Sequence, residues 1–481
     1  MTSGPYPVAS AASVRWRTHA SFIICALFAA TWPSAAPAQD MLSPLDEQAR
    51  RTAHASVVFG RHAALPPKPE TAASAVHEPS ELTLRDALSL ALQRNPELAA
   101  FGKERSAVEG ALLQAGALPN PVLDITGDNL RNVRKADAGD RTTTIQIGQL
   151  IELGGKRAAR IRAAEASHDL ANWDYEAKRI EILSLVAQRF VDVLAAQQRR
   201  TLADEAVALA RQVSEAVARR VQAGKVSPVE ETKARLTQAG AEVELEQARR
   251  EGIAVRTALG ALWANPSPSF EKAVGDLEKT TSLPDYEQLA QRIRDNPELA
   301  RWASEIERRR AGVDAEKAKA VPDVTLTAGV ARFSQFDDRA YIVGISLPLP
   351  LFNRNQGGIL EASRRLDKAG DELRAAENRV LTDLTRTYQR LAAIDKEIRT
   401  LRTILLPGAQ SAFEAATKGY QLGKFGFLDV LDAQRTLFQT RTQNLRALAD
   451  YQRGVSEIER LVGGPLDTSP QTTSPQTRHR Q

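Results

Sequence analysis

The sequence predicts a mainly α-helical chain with a transmembrane β-barrel part, built from two copies of a helix–strand–strand–helix unit. Three observations predict it. Landmarks recur in one order about 200 residues apart, the hydrophobic period changes twice inside each copy, and the segment lengths match a folded rod.

The repeat is visible in short words. Asn95-Pro96-Glu97-Leu98-Ala99 recurs as Asn296-Pro297-Glu298-Leu299-Ala300, a shift of 201, and at the same shift Pro121 falls on Pro322 ahead of a β-like run. Gly224-Lys225 recurs as Gly423-Lys424, a shift of 199, and Leu259-Gly260 resembles Val462-Gly463. The expected units are 81–265 and 285–463, joined by a Pro/Ser-bearing linker over 266–284.

Ahead of them, residues 1–38 read as an export signal. Arg15, Arg17 and His19 make a basic start, Phe22–Ala30 an apolar run, and Ala36-Pro37-Ala38 a small-residue cleavage site. A retained membrane anchor would need roughly 18 or more apolar residues. The single cysteine, Cys25, lies inside this signal without a lipoprotein box, so the mature chain is expected to lack thiols, disulfides and thiolate metal sites. Residues 39–80 and 464–481 are aperiodic and rich in small and polar residues, which predicts disordered ends. His54, His62 and His77 fall in the first of them, where solvated linker histidines are the ordinary reading and metal capture the alternative. Without residues 1–38 the chain carries 62 basic and 59 acidic residues, a balance that argues against nucleic acid.

Helices are expected over 83–118 and 285–320, opened by Thr83 and Asp285 and closed by Pro119 and Pro322. Alternating segments follow at 122–127 and 142–151 in the first unit, and at 324–332 and 341–347 in the second. Tyr341, Val343, Ile345 and Leu347 share one face while Gly344 and Ser346 lie on the other, the pattern of a lipid-facing barrel strand and equally of a strand on a soluble core. Long helices come next. Residues 155–224 contain no proline, and 370–423 only Pro407-Gly408. A heptad interleaves Leu373, Val380, Thr387, Ile394 and Leu401 with Leu384, Leu391, Ile398 and Leu405.

The short segments 83–118 and 226–263 total 74 residues, close to the 70 of the long helical segment 155–224 between them. Two short helices stacked end to end can therefore run back along one long one, making a rod about 100 Å long at ~1.5 Å per residue. Strands sit at one end and a glycine turn at the other. No segment after the signal is apolar enough for a transmembrane helix, so a membrane crossing must use strands. Four strands cannot close a barrel and an open edge cannot sit in lipid, which predicts oligomerisation; three chains would supply twelve strands.

This plan resembles the outer-membrane efflux factors, the TolC-like channels of tripartite export systems, over roughly 81–463. The specific pieces are NPEL in both halves, Leu153-Gly154-Gly155-Lys156-Arg157, and Pro348-Leu349-Pro350-Leu351-Phe352-Asn353-Arg354-Asn355-Gln356-Gly357. Ala223–Arg235 (AGKVSPVEETKAR) and Gly423–Leu437 (GKFGFLDVLDAQRTL) complete the set, and their wording looks like the branch serving cobalt–zinc–cadmium and nickel–cobalt efflux. The resemblance implies a homotrimer with a twelve-stranded barrel in the outer membrane lipid of a Gram-negative cell and an α-helical tunnel across the periplasm. It also implies a periplasmic adaptor, an inner-membrane proton-driven pump of the resistance-nodulation-division type, no cofactor and no catalysis.

The resemblance further implies roles for residues near the two glycine turns. Gly224, Lys225, Ser227, Pro228, Gly423 and Lys424 match the adaptor-docking tip. Asp429 and Asp432 match the carboxylates of the channel constriction, and their i,i+3 spacing puts them on one helix face. The plainer reading is an acidic helix start. Tyr420 and Glu230 match a gate latch, and Phe425 stands where other members carry a basic latch residue. Three competing functions are weighed by their marks. A coiled-coil adaptor would carry an inserted β-domain, a metal-binding resistance protein clustered His, Cys or Met, and a channel for drugs or proteins would share this plan.

Overall fold

The computed structural model describes residues 78–128, 142–280, 282–333 and 337–466. The expected signal, most of the N-terminal linker with its three histidines, and the C-terminal tail beyond Leu466 lie outside the described residues. The element order is β1 (Glu81–Thr83), α1 (Leu84–Arg94), α2 (Pro96–Ala115), β2 (Val122–Asp128), β3 (Thr142–Ile151), α3 (Lys156–Gln222) and α4 (Pro228–Gly260). The second half follows with β4 (Lys272–Val274), α5 (Tyr286–Arg292), α6 (Pro297–Lys319), β5 (Val324–Phe333), β6 (Asp338–Ser346), α7 (Gln356–Thr400), α8 (Leu406–Gln421) and α9 (Phe427–Val462). Among the described residues no helix is long and apolar enough to cross a membrane.

The helices expected at 83–118 and 285–320 are each broken, at Asn95 and Asn296. The repeated NPEL words are helix restarts. Asn95 Oδ1 accepts the Leu98 N–H at 2.9 Å, Pro96 takes the first helical position, and Asn95 Nδ2 donates to the Leu262 carbonyl at 2.8 Å. Asn296 repeats the arrangement, capping Glu298 N at 2.8 Å and donating to Leu461 O at 2.7 Å. One amide thus caps the start of one short helix and ties down the end of another, which stacks them end to end. α2 and α4 pack along α3, and α6 and α9 along α7. Thr83 opens α1 with a capping box, its hydroxyl accepting from Asp86 N while the Asp86 carboxylate accepts from Thr83 N. Asp285 precedes α5 without a side-chain cap bond.

The second long helix is not continuous. A π turn over Leu401–Leu405 separates α7 from α8, just ahead of Pro407. Proline offers no N–H and crowds the carbonyl four residues back, and the wider turn accommodates the mismatch. Val380, Leu384, Leu391, Ile394, Ile398 and Leu401 are buried as the heptad requires, but Leu405 is 45% exposed. The π turn rotates everything after it out of heptad phase. The largest core joins α3, α7 and α9 with the β1/β4 region, and only small clusters sit nearer the glycine turns.

β1 and β4 form a parallel pair that the alternation did not reveal. The Glu78 carboxylate beside them accepts from Trp263 Nε1 and Asn265 Nδ2, both at 2.7 Å, and from the backbone N–H and hydroxyl of Ser269. The other sheet is antiparallel throughout in the order β2-β3-β5-β6, with β2 and β6 as free edges. Its register lines up two unlike faces. Leu123, Ile147, Ala328 and Val343 form one row, and Ile125, Ile145, Val330 and Tyr341 the next. The opposite face carries Thr126, Thr144, Ala331 and Ala340, then Asp124, Gln146, Gly329 and Ile342. The apolar rows are exposed, with Ile125 at 65% and Val343 at 83%.

Candidate functional site at the glycine turns

Both long helical arms end in the same hydrogen-bonded device. Gly224 (φ +66°) and Gly423 (φ +72°) take the left-handed conformation that a β-carbon disfavours. Lys225 N–H donates to Arg220 O at 2.9 Å and Gly224 N–H to Val221 O; Lys424 N–H donates to Gly419 O at 2.8 Å and Gly423 N–H to Tyr420 O. These are paired Schellman motifs, which satisfy the last carbonyls and turn the chain back. Ser227 then caps α4, accepting from Val229 N at 3.3 Å with Pro228 at the first helical position. Lys225, Ser227, Pro228 and Lys424 stand exposed around the turns.

The two turns meet through a small cluster. Phe427, buried at the start of α9, packs with Val217 of α3 and Ala234 of α4, with Tyr420 and Leu431 alongside. The Arg220 guanidinium lies 4.2 Å over the Tyr420 ring, and Arg220 Nη1 donates to the Tyr420 carbonyl at 3.1 Å. Phe425 lies against Gly419, where any β-carbon would collide with its ring.

Tyr420 and Glu230 are brought into one electrostatic neighbourhood but not into a hydrogen bond. Tyr420 Oη and Glu230 Oε2 are both buried and, among the described residues, have no hydrogen-bond partner of good geometry. Burial pushes the Tyr420 pKa up, Arg220 opposes the rise, and the Glu230 charge adds to it. Arg220 is the contact that sequence reasoning missed. A basic residue in a last helical turn is unremarkable locally, and its partner lies 200 residues away.

Asp429 and Asp432 lie exposed on the first turns of α9. Asp429 accepts the Gly426 N–H at 2.8 Å, so it caps the helix, whereas Asp432 has no such duty. Among the described residues no group of three or more His, Cys, Asp or Glu could hold a metal ion.

The family described as outer membrane efflux protein matches residues 87–265 and 289–464. A cobalt-zinc-cadmium resistance protein, CzcC of Cupriavidus metallidurans, is 41% identical over 382 residues, covering 79% of this chain and 90% of its own. A nickel-cobalt-cadmium resistance protein, NccC of Alcaligenes xylosoxydans xylosoxydans, is 28% identical over 59% of this chain and 64% of its own. The crystal structure of the outer membrane protein VceC from Vibrio cholerae superposes with a TM-score of 0.67 at 21% identity, covering 79% of this chain and 96% of that one. Two family matches, one on each helix–strand–strand–helix unit, place this chain in the outer membrane efflux protein family.

Proposed function

We propose that the chain is the outer-membrane channel subunit of a tripartite, proton-driven efflux system that exports heavy-metal cations of the cobalt, zinc, cadmium and nickel class. The observation that carries this reading is the 41% identity with a cobalt-zinc-cadmium resistance protein along 90% of that protein's length. The sheet supports the membrane part. Its outward apolar rows suit lipid, its small and polar face suits a water-filled lumen, and β3 and β5, at ten residues each, have the length of barrel strands.

In this reading residues 1–38 are removed on export, and three copies close a twelve-stranded barrel above a periplasmic helical tunnel. Gly224, Lys225, Ser227, Pro228, Gly423 and Lys424 present the surface for a periplasmic adaptor, which links the channel to an inner-membrane pump. Asp429 and Asp432 become rings of carboxylates at the entrance, a filter for cations. The channel conducts and does not catalyse. Deleting the gene in its host should lower tolerance to cobalt, zinc, cadmium or nickel, with complementation restoring it. Complementing protein should fractionate with the outer membrane as a heat-modifiable oligomer. Unchanged tolerance to all four ions would remove the metal assignment, and recovery as a soluble monomer would remove the channel.

A further inference from the structure

Among the described residues the sheet leaves two unpaired edges, β2 and β6, and the internal repeat supplies a template for how they join. The seam between the two units, β3 on β5, is already formed and pairs ten residues on each strand. In a closed ring of copies the equivalent seam is β6 of one chain on β2 of the next. That inference rests on the barrel reading above.

The register of the second seam follows from three correspondences. Ala115 and Ala318 are both buried at the ends of α2 and α6, and each is followed at the same spacing by Leu118-Pro119 or Val321-Pro322. The structural equivalent of Pro322 is therefore Pro119, not Pro121, and α6 holds two more residues than α2 before this point. This sets β2 and β5 203 residues apart, so Leu123 corresponds to Leu326. The hairpins then fix β3 against β6. Leu123 pairs with Ile147, and Leu326 with Ile345, so β3 and β6 stand 198 residues apart. Finally, the formed seam pairs Gln149 with Leu326 and Ile147 with Ala328. Carried across, those pairs become Leu347 with Leu123, and Ile345 with Ile125.

We infer that β6 of one copy extends to Leu347 and pairs with β2 of its neighbour in that register. Two further features agree with it. Tyr341, Val343, Ile345 and Leu347 continue one exposed apolar row past the last paired residue, Ser346, as a strand awaiting a partner would. The row is then interrupted where Leu351 N–H donates to Leu349 O at 2.9 Å, a three-residue turn that ends any extended pairing. A register slipped by four residues, setting Leu351 against Leu123, would need that turn to be straight. The proposed register also keeps like faces together, apolar against apolar on the outside and Ser346 beside Asp124 on the inside.

Paired cysteines test it, since the sequence holds only Cys25, inside the expected signal. Directly opposed strand residues have Cα atoms about 4.5–5.5 Å apart, within disulfide reach. A four-residue slip moves them apart by roughly 13 Å. Full-length Leu123→Cys/Leu347→Cys should give covalent dimers and trimers on oxidation of isolated outer membranes. Leu123→Cys/Leu351→Cys and each single variant should stay monomeric on denaturing gels. Cross-linking of the 351 pair instead overturns the register. No cross-linking by either pair, in samples where glutaraldehyde still traps trimers, overturns the joining of these edges while leaving the channel intact. Absence of any glutaraldehyde-trapped oligomer removes the barrel reading itself.

Discussion

Replacing Arg220 with Ala should loosen the turn at the end of α8, whereas replacing Tyr420 with Phe should not. Among the described residues the Tyr420 hydroxyl is buried without a well-formed hydrogen bond, and only the nearby Arg220 guanidinium offsets its desolvation. Removing the hydroxyl should leave the stability of the turn unchanged or raise it by up to about 1 kcal/mol. Arg220 makes two contacts to the same residue, a stack at 4.2 Å and a charge-assisted hydrogen bond at 3.1 Å. Partly exposed, the stack is worth ~0.5–1 kcal/mol and the bond ~1.5 kcal/mol, together about 2 kcal/mol. That corresponds to roughly 30-fold more frequent local opening. Native-state hydrogen exchange of the amides in the last turns of α8 reads this directly. Faster exchange in Arg220→Ala with unchanged or slower exchange in Tyr420→Phe is expected. Faster exchange in Tyr420→Phe would mean that the hydroxyl finds a partner in the assembled channel, and the argument from an orphan group would be refuted.

Gly224→Ala and Gly423→Ala should each destabilise their turn by about 1–2 kcal/mol through backbone strain alone, since nothing lies within 4 Å of the added β-carbon. Gly224→Pro or Gly423→Pro, whose ring forbids the observed φ, should abolish metal tolerance while oligomers still assemble; full tolerance would deny the turns a docking role. Asp432→Asn should raise single-channel conductance in planar bilayers and weaken block by divalent or trivalent ions, and it is a cleaner probe than Asp429, whose loss also uncaps α9. Asp367, on α7 and paired with Arg364 at 3.0 Å, should do neither when changed, and an equal effect would leave the two tip acids as ordinary helix-start residues. Burial pushes the Glu78 pKa up, but the bonds from Trp263, Ser269 and Asn265 outweigh it and hold the carboxyl below its ordinary value. Its stabilisation is therefore present above the unfolded carboxylate pKa and lost as pH falls through the folded one. Acid titration followed by Trp263 fluorescence should show a transition below the ordinary glutamate range that Glu78→Gln lacks; identical curves would exclude this carboxylate as the source.

What the sequence makes legible is what chemistry writes locally. A glycine that must turn left-handed, a threonine that caps, and a strand with one oily face each carry their signal within a few residues. Gly224, Gly423, Thr83 and the row from Tyr341 to Leu347 could be read that way. The restarts at Asn95 and Asn296 were hidden because each asparagine does half its work on a carbonyl about 165 residues off, and Pro-Glu-Leu after it continues a helical pattern. The π turn was hidden for another reason. Heptad counting assumes 3.5 residues per turn, and Pro407 acts on residues ahead of itself, so Leu405 looked like seam. Arg220 and Glu78 bind across the fold, where no short window reaches.

The sheet's four described strands are all antiparallel, so β6 runs opposite to β2. Copies can thus be added edge to edge without a parallel seam, whether the ring has two members, three or more. Strand direction cannot count. Whatever fixes the number must lie in quantities that change with curvature, namely the angle between neighbouring long helices and the width of the side chains wedged between them. A variant that thickens or thins the exposed helical faces, leaving every strand untouched, is therefore where a change of ring size should be sought.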